Sequence, residues 1–304
     1  MSNRWIVTFV LFVVAIGSVI FHLVTPWWST EIASNWSQID FTINLTFWIT
    51  GFVYIAVILF MAWCIYKYRH RPDRRAEYEP ENKKLEIILT VVTTVGVAGL
   101  LAPGLITWNK YVAVPKDARQ LEVVGKQWQW SYRFPGKDGK LGKTAVRFVN
   151  GDNPFGIDPK DPNGKDDILV EDVNVTLPVG KTYKMLLRSI DVLHDFYVPQ
   201  FRAKMDLVPG QVSYFWFTTK RTGEFDILCA ELCGVGHHTM RGKVSVVSPA
   251  DFEKFLGEQT TFAKQQEEAR LRRQRDAKKR QAAKRAAESI KQAARATPSA
   301  KSLD

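Results

Sequence analysis

The chain has 304 residues, 46% hydrophobic and 24% charged, with three cysteines and a formal net charge of +11. So few cysteines exclude a disulfide-stapled scaffold. Residues 261–304 hold 13 Lys+Arg against 5 Asp+Glu, so the positive charge belongs mainly to the tail and is no sign of a nucleic-acid-binding core.

Three apolar blocks precede residue 110: Trp5 to about Val24, about Leu45 to Tyr66, and about Leu85 to Trp108. Each approaches or exceeds the ~20 residues that cross a bilayer as a helix. The first ends in Pro26-Trp27-Trp28, aromatics suited to the membrane interface. It competes with a signal-segment reading, because Arg4 precedes it and Ala15-Ile16-Gly17 resembles a cleavage site. The apolar run continues through Leu23, which favours a retained helix. The loop between the second and third blocks carries Lys67, Arg69, Arg71, Arg74, Arg75, Lys83 and Lys84, whereas Ser29–Asn44 has no Lys or Arg. The positive-inside rule then puts the 67–84 loop in the cytoplasm and everything after Trp108 outside.

From Gln120 to about Val247 short β-rich runs follow, at 120–134, 144–149, 168–177, 182–189, 211–219, 224–229 and 242–247, separated by turn residues. This spacing predicts a β-sandwich or barrel. Residues 150–167 are rich in Gly, Pro, Asp and Asn and read as a surface loop, without the pattern of a calcium loop. From Ala250 the chain favours helix, with Ser248 or Asp251 as cap. After Phe262 it has no apolar stripe, which predicts a solvated helix or a disordered tail. Outside a membrane its charge suits anionic lipid or an acidic partner, with no nucleic acid expected.

Between Cys229 and Met240 lie two Cys, two His, one Glu and one Met. Thiolate and thioether donors beside imidazole select copper. Zinc would leave the Met unused. A single-copper site needs one Cys only, whereas two cysteines four apart can each bridge two ions. A binuclear centre needs a second imidazole. Of the five histidines, His22 lies in or beside the first span and His70 in the 67–84 loop. His194 is then the natural partner of His237, with His238 competing for the local position.

Cys229-x-Glu231-x-Cys233-x3-His237-x2-Met240, with Asp191-Val-Leu-His194 upstream, resembles the CuA motif of cytochrome c oxidase subunit II. Gly125-Lys-Gln-Trp128-Gln-Trp130-Ser-Tyr132 and Lys204-Met-Asp206-Leu-Val-Pro209-Gly210 extend the resemblance, which covers roughly 45–247. It implies an all-β, cupredoxin-like domain anchored by two or three transmembrane helices. The expected divisions are a first helix or signal segment (1–28), a membrane hairpin (45–110), the copper domain (111–250) and a basic tail (251–304).

In that family Cys229 and Cys233 would bridge two coppers, and His194 and His237 would bind one each. Met240 would be a weak ligand, and Glu231 would donate its backbone carbonyl. The Glu231 side chain would reach a magnesium ion shared with subunit I. Electrons from cytochrome c would enter at Trp128 and pass to haem in subunit I, which reduces oxygen to water with proton transport, at a bacterial inner membrane with the copper domain periplasmic. Glu86 would stand at the mouth of a proton path. Its plainer reading is an acid favourable at a helix N-terminus.

Three departures stand out. Ile87–Thr94 lacks the family's usual Trp and Pro, Asp195 replaces an apolar or small residue, and Lys126 stands where His is common. Two rivals share parts of the pattern: the copper subunit of a nitric oxide reductase and a copper-delivery module. The second has no use for Trp128, and the copper ligands argue against a quinol donor.

Overall fold

The computed structural model describes residues 3–25, 30–75 and 77–296. Pro26-Trp27-Trp28 and the tail beyond residue 296 lie outside the described residues.

Three helices lead the chain: α1 (Asn3–Val24), α2 (Ser37–Lys67) and α3 (Lys83–Val112). At 22, 31 and 30 residues and ~1.5 Å rise each, all exceed the ~30 Å of a bilayer core. α2 begins eight residues before its apolar run, with Asp40 in its first turn, where the helix dipole favours an acid. The Asn82 side chain accepts the Leu85 N–H at 3.0 Å and caps α3. α1 packs on α2 through Ser18 Oγ and Tyr54 Oη at 3.3 Å and through the Trp5 and Tyr66 rings at 5.8 Å. Most of the other apolar side chains on these helices point outward, Trp48 and Phe52 being about three-quarters exposed. Surfaces of this kind need hydrocarbon around them, and they make this a membrane-anchored chain.

The exposed domain is a two-sheet sandwich. Its strands are β1 (Arg119–Lys126), β2 (Gln129–Phe134), β3 (Ile168–Val170), β4 (Val175–Pro178), β5 (Thr182–Ser189), β6 (His194–Val198), β7 (Ala203–Leu207), β8 (Ser213–Thr218), β9 (Gly223–Cys229), β10 (Arg241–Val247) and β11 (Thr260–Thr261). One sheet runs β11-β3-β2-β1-β5-β8, the other β4-β10-β9-β6-β7. Between them lies an aromatic core that includes Trp130, Tyr132, Phe196, Phe201, Phe215 and Phe217.

The run 120–134 is a hairpin that turns at Gln127-Trp128, and 168–177 divides into β3 and β4. The expected strand at 144–149 is instead a single 3-10 turn, Val146–Phe148. β6 and β7 lie in a stretch where turn residues and charges hid the alternation. After β10, Ser248 caps α4 (Pro249–Glu258) by accepting the Asp251 N–H, and β11 leads into α5 (Phe262–Ala296).

Residues 30–36 are built into this domain. Ala33 N–H donates to Gln200 O and Lys220 N–H to Ala33 O, both at 2.8 Å. The buried Trp36 donates its indole N–H to Trp216 O at 2.8 Å and packs on Tyr111. Arg202 then grips Asp40 at 2.5 and 3.0 Å. The α1–α2 connection and the sandwich therefore share one side of the membrane.

Candidate metal centre

β9 ends at Cys229 and β10 begins at Arg241, and the loop between them carries the remaining local donors. Its neck is closed by Cys229 N–H on Met240 O at 3.2 Å. Inside, Cys229 Sγ and Cys233 Sγ stand 3.7 Å apart, and both cysteines are free. A disulfide would need ~2.05 Å.

His194, at the first position of β6 beside β9, brings Nδ1 to 3.9 Å from Cys229 Sγ. A 3-10 turn at His237–Thr239 aims His237 Nδ1 at Cys233 Sγ, 3.5 Å away. His238 is exposed, which settles which of the two neighbouring histidines faces the sulfurs. Met240 Sδ lies 3.9 Å from Cys233 Sγ, and Glu231 O 3.3 Å from Cys229 Sγ. His194, Cys233 and Met240 are buried.

Burial raises the cost of a thiolate at both cysteines. At Cys229 the His194 ring and the backbone around Asp195 and Glu231 outweigh it and bring the thiol down, whereas the neighbouring Cys229 sulfur pushes Cys233 up further. Free, the pair gives up one proton readily and resists losing the second.

A second layer fixes the donors. His194 Nε2 meets Asp191 Oδ1 at 2.8 Å, and Asp191 accepts the Gln127 N–H at 2.6 Å. Gln127 Nε2 and Trp128 Nε1 both donate to Cys233 O, at 2.9 and 3.2 Å. The loop backbone lies directly on the indole. A Cβ at Gly236 would sit 2.3 Å from Trp128 Cδ2, and Gly234 has a φ of +115°.

Residues 120–247 match the family described as cytochrome c oxidase subunit II, periplasmic domain. The alternative cytochrome c oxidase subunit 2 of Bradyrhizobium diazoefficiens is 58% identical over 257 residues, 84% of this chain and 93% of that protein. The cytochrome c oxidase subunit 2 of Cereibacter sphaeroides is 28% identical over 227 residues, 69% of this chain and 74% of that protein. The chain belongs to the cytochrome c oxidase subunit 2 family. Among solved structures, the periplasmic domain of subunit II of cytochrome oxidase from Bradyrhizobium japonicum is 30% identical, covering 47% of this chain and 94% of that one, with a TM-score of 0.35.

The donor set of this family member fits copper. Two thiols, two imidazole nitrogens, a thioether and a carbonyl converge in a largely buried space, and soft donors of this kind favour copper over oxygen-seeking metals. The cluster of His194, Cys229 and Cys233, with Met240, is consistent with a CuA-type copper site.

One of the three departures, Asp195, has a structural answer. Asp195 is fully buried, and Lys204 of β7 meets its carboxylate at 2.6 Å. Burial still pushes that carboxyl up to about 7. Trp130 is buried between His194 and Phe196, with ring centroids at 6.2 and 5.4 Å. The Glu231 side chain is half-buried at the loop edge. Glu86 is exposed in the first turn of α3, ~37 Å of helix from Tyr111, and no part of this cluster.

The residues that alternation and motif reading missed are Asp191, Gln127 and Gly236. Asp191 and Gln127 lie inside the motifs that carried the resemblance, but their roles depend on a hairpin turn meeting a loop about a hundred residues away.

Proposed function

We propose that this chain is the electron-accepting subunit of a bacterial cytochrome c oxidase. It takes single electrons from cytochrome c on the periplasmic side of the inner membrane and supplies them to haem in subunit I, where oxygen is reduced to water with proton transport. His194, Cys229, Cys233, His237 and Met240, with the Glu231 carbonyl, would hold a binuclear copper centre. The observation that carries this reading is a pair of free thiols 3.7 Å apart, each with its own imidazole nitrogen within 3.9 Å. Copper held there would supply a one-electron carrier, with its charge shared by the Cys229 and Cys233 sulfurs.

The chain's own part is to keep the donors fixed and dry. Asp191 orients the His194 ring and is itself held by the Gln127 N–H, the kind of outer support that tunes a metal ligand. The loop neck at Cys229 and Met240 limits rearrangement when charge changes. Trp128 is 37% exposed, yet its N–H reaches the Cys233 carbonyl. One hydrogen bond thus separates the protein surface from Cys233, which supports Trp128 as the place where electrons enter. On the family pattern, Glu231 would meet a magnesium ion shared with subunit I, and Glu86 would stand at the cytoplasmic mouth of a proton path.

Anaerobic stopped-flow mixing of the purified oxidase complex with reduced cytochrome c tests the proposal. Cytochrome c should be oxidised as haem in subunit I is reduced. Cys229→Ser should abolish this transfer while the complex still assembles. Unchanged haem reduction by cytochrome c in that variant would refute it.

A further inference from the structure

α5 is 35 residues long, ~52 Å of helix, and only its first third touches the domain. Phe262 is buried, and its N–H donates to Asp167 O at 2.9 Å. Gln265 reaches the Glu171 carboxylate, Gln266 Nε2 donates to Asp152 O at 2.9 Å, and Ala269 is buried. Arg272 and Arg273 clasp the Asp152 carboxylate together. The helix is therefore a fixed extension of the sandwich.

Beyond Arg273 its described side chains are exposed. Seven Lys and Arg lie between Arg275 and Lys291, against only Asp276 and Glu288. They are distributed around the helix with no apolar stripe, so this is a cationic rod rather than an amphipathic membrane binder.

The anchor's position decides between the two anionic partners such a rod could meet. The membrane helices abut β8, where Trp216 Nε1 donates to Lys110 O at 2.9 Å and Tyr111 stacks on Phe215. The tail leaves from β11, the opposite edge of the same six-stranded sheet. Five strand spacings put about 24 Å of sheet between those edges, against a Debye length of about 8 Å in physiological salt. Lipid headgroups are thus electrostatically remote from the root of the rod. β3 runs antiparallel to β2, with Ile168 opposite Phe134 and Val170 opposite Tyr132. The step from Phe262 at Asp167 to Gln265 at Glu171 therefore sets the helix off toward the end of the sheet that carries Trp128.

We propose that the distal part of α5 is a docking arm for an acidic protein surface, that of the c-type cytochrome which delivers electrons at Trp128. This rests on the electron-accepting reading above. A fixed positive rod raises the local concentration of an acidic donor and speeds encounter by tenfold or more at low salt.

The test uses the intact oxidase complex and two reduced donors, an acidic c-type cytochrome and a basic one. It compares them with a variant in which Arg275, Lys278, Lys279, Arg280, Lys284 and Arg285 are all changed to Gln, and with a chain ending at Gln274. Both changes should lower the bimolecular rate with the acidic donor at least about tenfold at low salt, and the gap should close at high salt. The basic donor should be unaffected or faster. Direct binding of the acidic cytochrome to the complex should weaken in parallel. Equal rates and binding for the acidic donor with and without the arm would overturn the proposal. So would a tail dependence seen only in binding to vesicles containing phosphatidylglycerol. If neither donor reduces the intact complex, the electron-accepting reading fails, and the arm is judged by the binding measurement alone.

Discussion

Position 236 has room only for a hydrogen atom, because the loop backbone rests on the face of Trp128. Gly236→Ala should push the indole away from the Cys233 carbonyl while leaving all six donors in place. Copper uptake should therefore persist, whereas electron transfer from cytochrome c should fall by about tenfold or more. A stopped-flow rate beside a copper assay on the same variant decides this, and an unchanged rate would remove Trp128 from the route. Trp128→Gln separates route from packing. A buried aromatic truncation costs ~3–5 kcal/mol, but Trp128 is 37% exposed, so this variant should melt within a few degrees of the unmodified protein while transfer collapses. Trp130→Gln should do the reverse, disturbing fold and copper together, since Trp130 is buried against His194. The spacing of the two tryptophans in sequence does not distinguish them. Only the hairpin turn, which puts one at the turn and the other facing the core, does so.

Among the elements, the long connection from β2 to β3 is held to the sheet by a buried charge network. Arg133 of β2 bonds Glu122 at 2.7 Å and also Asp167, while Arg188 of β5 bonds Glu122 at 3.1 Å. The two arginines hold Glu122 below the usual carboxylate range against the cost of burial. At Asp167 burial wins, and its carboxyl is pushed up to about 6 in spite of Arg133 and the Gly142 N–H. An acid raised in this way stabilises the fold while protonated, fully below about pH 4, and loses that contribution as pH rises through about 6. Thermal melts of the unmodified chain and Asp167→Asn, compared from pH 4 to 7, should shift in favour of the variant as pH rises. A difference independent of pH would contradict this.

This network was not legible in the sequence, where Asp167 closes a stretch with the composition of a solvated loop. The helices and the strands from β8 to β10 were legible, because length and apolar runs suffice for them. β6 was not, since a buried Asp195 breaks its pattern and is tolerated only through Lys204. The docking of residues 30–36 was equally hidden, and it has a consequence for truncation. A fragment starting at residue 112 lacks Ala33, Trp36 and Tyr111, which are part of the core. It should be several kcal/mol less stable than the full chain, which paired denaturation curves would reveal.

At the scale of the whole molecule, the chain is a membrane anchor, a sandwich carrying the donor cluster on one loop and one strand, and a charged helix at the sheet edge away from the membrane. Residues 30–36 share a side with the sandwich, so a membrane-impermeant thiol reagent should label a cysteine introduced at Lys137 in intact spheroplasts. One introduced at Glu77 should react only after lysis, and the opposite pattern would reverse the topology. The candidate donors were legible as a motif because thiolate, imidazole and thioether donors are rarely assembled for anything else. Which imidazole faces which sulfur was not, because that depends on β6 lying against β9. On the proposed function the two free thiols would hold two coppers as one unit. Copper analysis and electron paramagnetic resonance of the purified full-length chain, half-oxidised, test it most directly. The expected result is two coppers per chain and a hyperfine pattern from one electron shared equally between both nuclei, lost in Cys229→Ser. One copper per chain with the hyperfine pattern of a single nucleus would contradict it.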